Sequence, residues 1–534
     1  MPVGARVSGL LWPATFGIAA AYIVLFLIKL PHNIAALGWS PSVASAYVMP
    51  ETLVNTGTGG HTVMGSSPQW VSLWFGLLTA KLPLHRELWD IAPTLDLLAT
   101  ALIVGWSVVR LASRRAAVLA TLIVLVASPL ALTFLMAPFS HNTVYPCTAL
   151  LGAYLIWLAR ADARRRIVAF AVPPVLGVVV GACVSSDLLL DATAVIPLGL
   201  AALFALVQRG RRPKIVALSA LTTAAVSVPV AKLTSSIMLN DGFITVRAPV
   251  HFAALSELPA RAELLFRGLK VLFNGYLGGP EARGTLYPEL GLLSDVVMAA
   301  ALLTLVVVGT LTCIGLIRAV LSKASVQTPT QLTRSLYIVY WVGAAAIPCV
   351  GFWLAGEGPQ TLHESYYMTS VFAAAAVIPL LLSARTSLRL LIPAGAACFF
   401  FAGFVGLTND YVNITTTLAG QGREVVRLAE ANHVQAGYTN FGDASGITWA
   451  SHYRVVVRPI AECENPGGVN LCPGFQAYVP AWYVPQARPS FLLVDQAGIE
   501  IQSLPEGLGK PLASYSFGSM QMYIYPYDIA SRLG

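Results

Sequence analysis

Charge is scarce in this sequence. Only 11% of its 534 residues are Asp, Glu, Lys or Arg, against about 25% in an ordinary soluble domain. That is too few to cover a water-facing surface, so most of the surface must face lipid. Cysteine is scarce too, at seven residues. Cys147, Cys183, Cys313, Cys349 and Cys398 sit singly in apolar runs, where Cys behaves as a small hydrophobe. Only Cys463 and Cys472 share a polar, Pro- and Gly-rich segment. They predict a disulfide if that segment lies outside the cytosol, and their spacing fits no zinc pattern. The soluble-enzyme signatures are missing as well. There is no P-loop, no GxGxxG after a strand, no HExxH and no GxSxG in context, so ATP is not an evident energy source. The first apolar run is too long for a cleavable signal peptide, and no small-residue cleavage pattern follows it.

What fills the chain instead is hydrophobic residue, 56% of the total. A hydrocarbon core takes about 20 apolar residues per helix. Runs of that kind centre on 10–30, 88–109, 116–137, 143–159, 167–185, 189–207, 215–231, 293–317, 336–355, 366–383 and 389–407. They predict an α-helical polytopic membrane protein with about eleven transmembrane helices. Five basic clusters fall between them: Arg110, Arg114 and Arg115; Arg160, Arg164, Arg165 and Arg166; Arg209, Arg211, Arg212 and Lys214; Arg318, Lys323 and Arg334; Arg385 and Arg389. They occupy every second loop, as cytoplasmic loops do under the positive-inside rule. The N-terminus is therefore expected inside and the C-terminus outside. The net charge of +8 resides largely in these clusters, and no nucleic-acid partner is expected.

The outer side then carries the long segments 31–87 and 232–292 and everything after about 408. Loops longer than roughly 12–15 residues are usually functional or disordered, and the aromatic and apolar content of these argues against disorder. "SPQWVSLWFGLLTAKLP" and "ELPARAELLFRGLKVLFNGYL" each read as an amphipathic interfacial helix. In the tail, "GQGREVVRLAEANHV" has helical periodicity, while "RVVVRPI", "SFLLVDQ" and "MQMYIYPYD" are β-rich runs bounded by turn residues. The expected division is a transmembrane domain over 1–407 and a small C-terminal extracytoplasmic α/β domain over 408–534.

Ionisable residues at a membrane edge are functional candidates by default. Glu51 is the only carboxylate between the first span and Glu87; it is either a general base or a solvated loop acid. His61 closes the same polar segment. Asp90 and Asp96 sit near the outer end of the second span, Asp96 deeper. The "SHNTVYP" turn offers His141, Asn142 and Tyr145. "SSDLLLD" offers Ser185, Ser186, Asp187 and Asp191, with helix capping as the plainer role of Asp187. "EGPQTLHESYY" brings Glu357, His363, Glu364, Tyr366 and Tyr367 to the outer mouth. Arg247, Arg261, Arg267, Lys270 and Arg283 either clamp a phosphate or anchor to lipid headgroups.

The layout as a whole resembles the GT-C superfamily of membrane glycosyltransferases: inside N-terminus, about eleven spans, a long first outer loop with a sole early carboxylate, an interfacial helix and an outer α/β tail. "GWSPSVASAYVMPETL", "LWDIAPTLDLL", "SSDLLLDATAVIPL", "HESYYMTSVFAAAAVIPLLL" and "YIYPYDIASRL" look like large actinobacterial membrane proteins, similar in layout to mycobacterial arabinofuranosyl- and mannosyltransferases. The resemblance covers nearly the whole chain through degenerate motifs. It implies a bacterial plasma membrane, a polyprenyl-phosphate sugar donor and a cell-envelope glycan or glycolipid acceptor. By that resemblance Glu51, with Asp90, deprotonates the acceptor hydroxyl. His61, His141, Arg261, Arg267, Lys270 and His363 hold the donor phosphate, and Asp96, Asp187, Glu364 and Tyr366 line the substrate cavity. No cofactor is fixed, and a divalent cation stays open. Two departures stand out. The superfamily usually places an Asp soon after the first span, where this chain has Ser42 and no acid until Glu51. Many members carry Arg before a late Tyr-Leu, where "HESYY" supplies His363 and Glu364. The rival expectations are a flippase for a lipid-linked substrate, favoured by Asp96, Asp187 and Asp191, and a non-catalytic envelope scaffold, favoured by the missing early Asp.

Overall fold

The computed structural model describes residues 3–533 apart from 38–40, 57–61, 65–69, 127–140, 142, 161–165, 246–251, 275–287, 322–327, 356–366, 384–387, 409–412, 466–467, 475–477, 496–500, 502–503 and 505. Helix dominates it. Among the described residues, six helices are long and apolar enough to cross a membrane: α1 (Val3–Leu37), α4 (His85–Leu111), α9 (Arg211–Asn240), α11 (Pro288–Leu321), α12 (Pro329–Leu354) and α14 (Leu388–Thr408). Shorter helices fill the spaces between them: α5 (Arg114–Leu125), α6 (Val144–Arg160), α7 (Arg166–Ser186), α8 (Ile196–Val207) and α13 (Thr369–Val377). A π-helical turn, Asp191–Val195, leads into α8, and α13 tightens into a 3-10 turn over Ile378–Ser383. Each apolar run of the sequence is mainly helical over its described residues.

The bundle buries large aromatic residues, among them Tyr337, Tyr340, Trp341, Phe372 and Phe400, while Leu10, Ile28, Val306 and Leu391 point outward. Several buried hydroxyls find carbonyls inside the bundle, as an apolar surround favours. Tyr340 donates to the Thr148 carbonyl at 2.7 Å and Thr369 to the Ala344 carbonyl at 2.6 Å. Helices α7 and α9 meet across Gly177 and Gly181, the small residues of "GVVVG"; a Cβ at Gly181 would lie 2.6 Å from the Ser227 carbonyl. That is how backbones approach closely where lipid offers no hydrophobic drive.

One end of the bundle carries a second layer. The sequence presents 31–87 as a loop with one interfacial helix, but α1 runs on to Leu37 and a further helix, α2 (Pro41–Thr56), follows. Its Val48, Met49 and Leu53 fall on one face and are buried, so tertiary packing outweighs its Ser, Thr and Pro content. The expected interfacial helix is α3 (Trp70–Thr79). Short strands β1 (Thr62–Met64) and β2 (Phe243–Thr245) pair in parallel and tie the two long segments together. In the second segment, α10 (Leu258–Leu272) buries Leu269, Val271 and Leu272 and exposes Phe266.

The tail begins with α15 (Asn413–Ala431) and carries a six-stranded sheet in the order β5-β4-β3-β6-β8-β7. Its strands are β3 (Ala436–Thr439), β4 (Val456–Asn465), β5 (Gly468–Pro473), β6 (Ser490–Asp495), β7 (Ala513–Phe517) and β8 (Met520–Tyr525). Central β3 is parallel to both β4 and β6, and antiparallel hairpins finish each side. Val457, Phe491, Leu493 and Met522 pack with residues of α15 and of α16 (Phe441–Ala450). Tyr438, Ile460, Leu492 and Tyr525 pack with the C-terminal Ile529 and Ala530. Cys463 and Cys472 are bridged across the β4–β5 hairpin with Cα atoms 5.9 Å apart.

Candidate functional site

The tail docks on the second-layer helices through aromatic residues. Trp449 of α16, Val479 and Trp482 join Val48 and Leu53 of α2, Trp70 and Leu73 of α3, Trp89 of α4 and Phe243 in one buried cluster. Because α2 turns its apolar face into this seam, Glu51 is left half-buried at its edge. The neighbouring Thr52 hydroxyl donates to the Val48 carbonyl at 2.8 Å and accepts from Trp482 Nε1 at 2.9 Å, which pins α2 to the tail.

Two residues from distant parts of the chain come to Glu51. The Tyr453 hydroxyl lies beside the carboxylate without closing a hydrogen bond of good geometry. Burial, then the interaction of the hydroxyl with the Glu51 carboxylate and its charge, keep that phenol protonated well above the ordinary tyrosine range. His85, the first residue of α4, is within electrostatic reach of Glu51. Its Nδ1 is 2.9 Å from the Thr79 hydroxyl, and its ring stands edge-on to Trp89 and Trp449. Its Nε2 is buried with no partner among the described residues.

Two cations flank this group. Arg86 lies 4.9 Å over the Trp449 ring and donates to the Trp449 carbonyl at 3.3 Å and to His452 Nδ1 at 2.8 Å. An imidazole that accepts from a guanidinium is neutral, with its proton on Nε2. Burial, followed by the charges of Arg86 and Arg454, lowers the His452 pKa accordingly. Arg458 on β4 lies 5.2 Å over the Trp482 ring. Burial pushes its pKa down to about 10, against the pull of Tyr483, Tyr438 and Tyr453, so it is still a cation at neutral pH. The backbone is strained here too. His452 and Tyr453 follow one another with φ of 55° and 59°, a region that costs a bulky residue about 1–3 kcal/mol. Strained pairs of this kind cluster at functional sites. The seam therefore offers a proton acceptor, two fixed positive charges and aromatic walls in one place.

The other residues singled out in the sequence are dispersed. Asp90 is half-buried one turn after Arg86, with Arg86 and Glu87 as its charged neighbours. Asp96 is half-buried deeper in α4, within reach of Cys147 rather than of Glu51. Asp187 is buried, pairs with His141 and accepts from the Leu189 amide at 3.0 Å, so it both caps a turn and binds a histidine. That pair lies at the C-terminal end of α7, where Ser186 accepts from the Val71 amide of α3 at 3.0 Å. Of the α10 cations, Arg267 is paired with exposed Glu263 at 2.7 Å and Lys270 with Asp295 at 2.9 Å. Only Arg261 turns inward, 4% exposed. The buried leucines of α10 belong to the main bundle's core and not to the seam, so the phosphate clamp is not assembled around Glu51. His61, Asn142, Arg247, Arg283, Glu357, His363, Glu364 and Tyr366 lie outside the described residues. Among the described residues no three of His, Cys, Asp and Glu gather as a metal-ligand set.

His85, Arg86, His452, Tyr453 and Arg458 were not singled out in the sequence. "PLHRELWD" carried a signal for the first two: a His and an Arg at the mouth of a span, each four residues before Trp89 or Asp90 and so on the same helix face. Nothing local marks the other three: His452 and Tyr453 meet Arg86 and Glu51 from the far end of the chain, and Arg458 meets Trp482 through the folding of the tail. No family model, curated protein or solved structure matches the chain.

Proposed function

We propose that the chain is a membrane glycosyltransferase of GT-C type, with eleven spans and its C-terminal domain outside. It moves a sugar from a polyprenyl-phosphate donor to an envelope glycan or glycolipid. The observation that carries this reading is the placement of Glu51: the one carboxylate of its segment is held half-buried between the second-layer helices and the tail, beside Tyr453 and within reach of His85, with Arg86 and Arg458 acting on the same Tyr453. Glu51 takes the proton of the acceptor hydroxyl as the sugar–phosphate bond breaks, and the acceptor oxygen forms the new bond to the sugar. Arg86 and Arg458 stabilise the departing phosphate, as fixed cations do at developing negative charge. The Tyr453 hydroxyl beside Glu51 and the unpartnered His85 Nε2 bond sugar hydroxyls, and the aromatic walls exclude water.

The test is transfer from a polyprenyl-phosphate sugar by the purified chain in nanodiscs. Glu51→Gln keeps size and removes the acceptor, so the rate should fall about 10²–10⁴-fold, the usual contribution of a general base. Undiminished transfer by Glu51→Gln removes Glu51 from the chemistry. A donor carried across the bilayer intact makes the protein a flippase, and neither transfer nor transport makes it a scaffold.

A further inference from the structure

Away from the seam, toward the other end of α4, the bundle surface carries a groove of about 600 Å³ between α4, α6 and α7. Leu102 and Trp106 of α4, Leu150 and Trp157 of α6, and Val172 and Leu176 of α7 line it. Leu102 is 57% exposed and Leu150 47%, so the groove opens outward from the bundle. Its volume falls within the roughly 300–1,000 Å³ of built ligand sites. Along α6 it runs about 10 Å at 1.5 Å per residue, the length of the upper part of an acyl chain.

Charge is confined to one end of this groove. Arg110, one turn beyond Trp106, lies 5.2 Å over the Trp106 ring. Arg160, the last residue of α6, donates to the Arg110 carbonyl, and exposed Arg114 and Arg115 open α5 beside them. The sequence has no acid over 97–126, 143–160 or 166–186; it adds Asp162 against Arg164 and Arg165 in the adjoining connection. Basic pockets between membrane helices are suited to anionic headgroups. Indole rings prefer the headgroup level of a bilayer.

We propose that this groove is a site for an anionic glycerophospholipid, distinct from the Glu51 seam and independent of its function. The headgroup phosphate sits between Arg110 and Arg160, and one acyl chain enters the groove past Trp106 and Trp157. A zwitterionic lipid fills the same groove but carries an ammonium against the arginines, so charge supplies the selectivity.

The test uses the full chain in nanodiscs containing brominated phosphatidylglycerol or brominated phosphatidylcholine at equal mole fraction. The share of tryptophan quenching lost in Trp106→Phe and Trp157→Phe isolates the groove from the other indoles. Phosphatidylglycerol should quench these two more strongly. The preference should drop roughly fivefold for each arginine removed in Arg110→Gln and Arg160→Gln. Arg110→Lys with Arg160→Lys keeps the charge and should keep the preference, which separates lost binding from a disturbed fold. Equal quenching by both lipids in the unaltered protein overturns the site. So does a preference that survives both Gln substitutions. Displacement of phosphatidylglycerol by an equimolar polyprenyl phosphate assigns the groove to that lipid instead and overturns the proposal equally.

Discussion

Tyr453 bears two costs in the seam. Its backbone is left-handed, with φ 59°, and its hydroxyl is buried without a partner among the described residues. Each costs about 1–3 kcal/mol. A sugar hydroxyl placed between Tyr453 and Glu51 would relieve the second cost, which gives the residue a role beyond packing. Next to it, His452 supplies a pH dependence whose sign is fixed. Burial, Arg86 and Arg454 hold its folded pKa below the ordinary value, so on acidification the unfolded chain takes up the proton first. Stability linked to His452 is complete above about pH 6.5 and is lost as pH falls below that value toward the folded pKa. Protonation also removes the lone pair that accepts from Arg86. Thermal melting from pH 8 to pH 5 should therefore fall more steeply in the unaltered protein than in His452→Gln, and equal slopes would take His452 out of the docking contact. At this scale the sequence was half legible. Glu51 is conspicuous as the only carboxylate in its stretch, but the phenol and guanidinium that face it are placed by tertiary folding alone.

α2 shows what was hard to read at the scale of elements. A 16-residue helix with an internal Pro50 is marginal by itself, because isolated helices of that length barely form in water. It is held by what it packs on. The membrane helices are the opposite case: length and apolarity decide them, since lipid leaves the backbone no other partner. Similarly, β6 and β8 were visible as β-rich runs, whereas β3, four residues all buried, is too short for alternation to show. Besides the tail, α2 packs closely on α3. A Cβ on Gly76 would lie 2.5 Å from Pro50 Cγ and 2.9 Å from the Trp89 ring, so this glycine lets α2, α3 and α4 converge. Gly76→Val should destabilise the protein by about 1–3 kcal/mol, the usual cost of overpacking, and should lower transfer by moving Glu51. Gly199→Ala, where a Cβ meets nothing within 4 Å, is the control and should melt no lower than the unaltered protein. A Gly76→Val protein with unchanged melting would mean that α2 is not fixed by this contact.

Across the whole molecule, the two ends of α4 set the polarity. His85 and Arg86 at its start touch the tail through Trp449 and His452. Arg110 at its end takes a hydrogen bond from Arg160 through its carbonyl. The helix has 27 residues, about 40 Å at 1.5 Å each, more than the roughly 30 Å hydrocarbon core of a bilayer. If α4 crosses the membrane, the tail and the arginine clusters lie on opposite sides of it. The proposed topology, which follows the positive-inside rule, has the clusters in the cytoplasm and the tail outside. A phosphatase fused after Gly534 should be active, because that enzyme needs an oxidising compartment to form its disulfides, and a fluorescent protein that matures only in the cytoplasm should stay dark there. Insertion near Arg212 should reverse both results. Fluorescence at the C-terminus with a silent phosphatase would turn the molecule over. The Glu51 seam would then face the cytoplasm, and an outer-leaflet donor could not reach it, so the glycosyltransferase proposal in its present form would fall with the topology. The phospholipid groove would survive that outcome, since its arginines and its lipid-facing walls do not depend on which leaflet they meet.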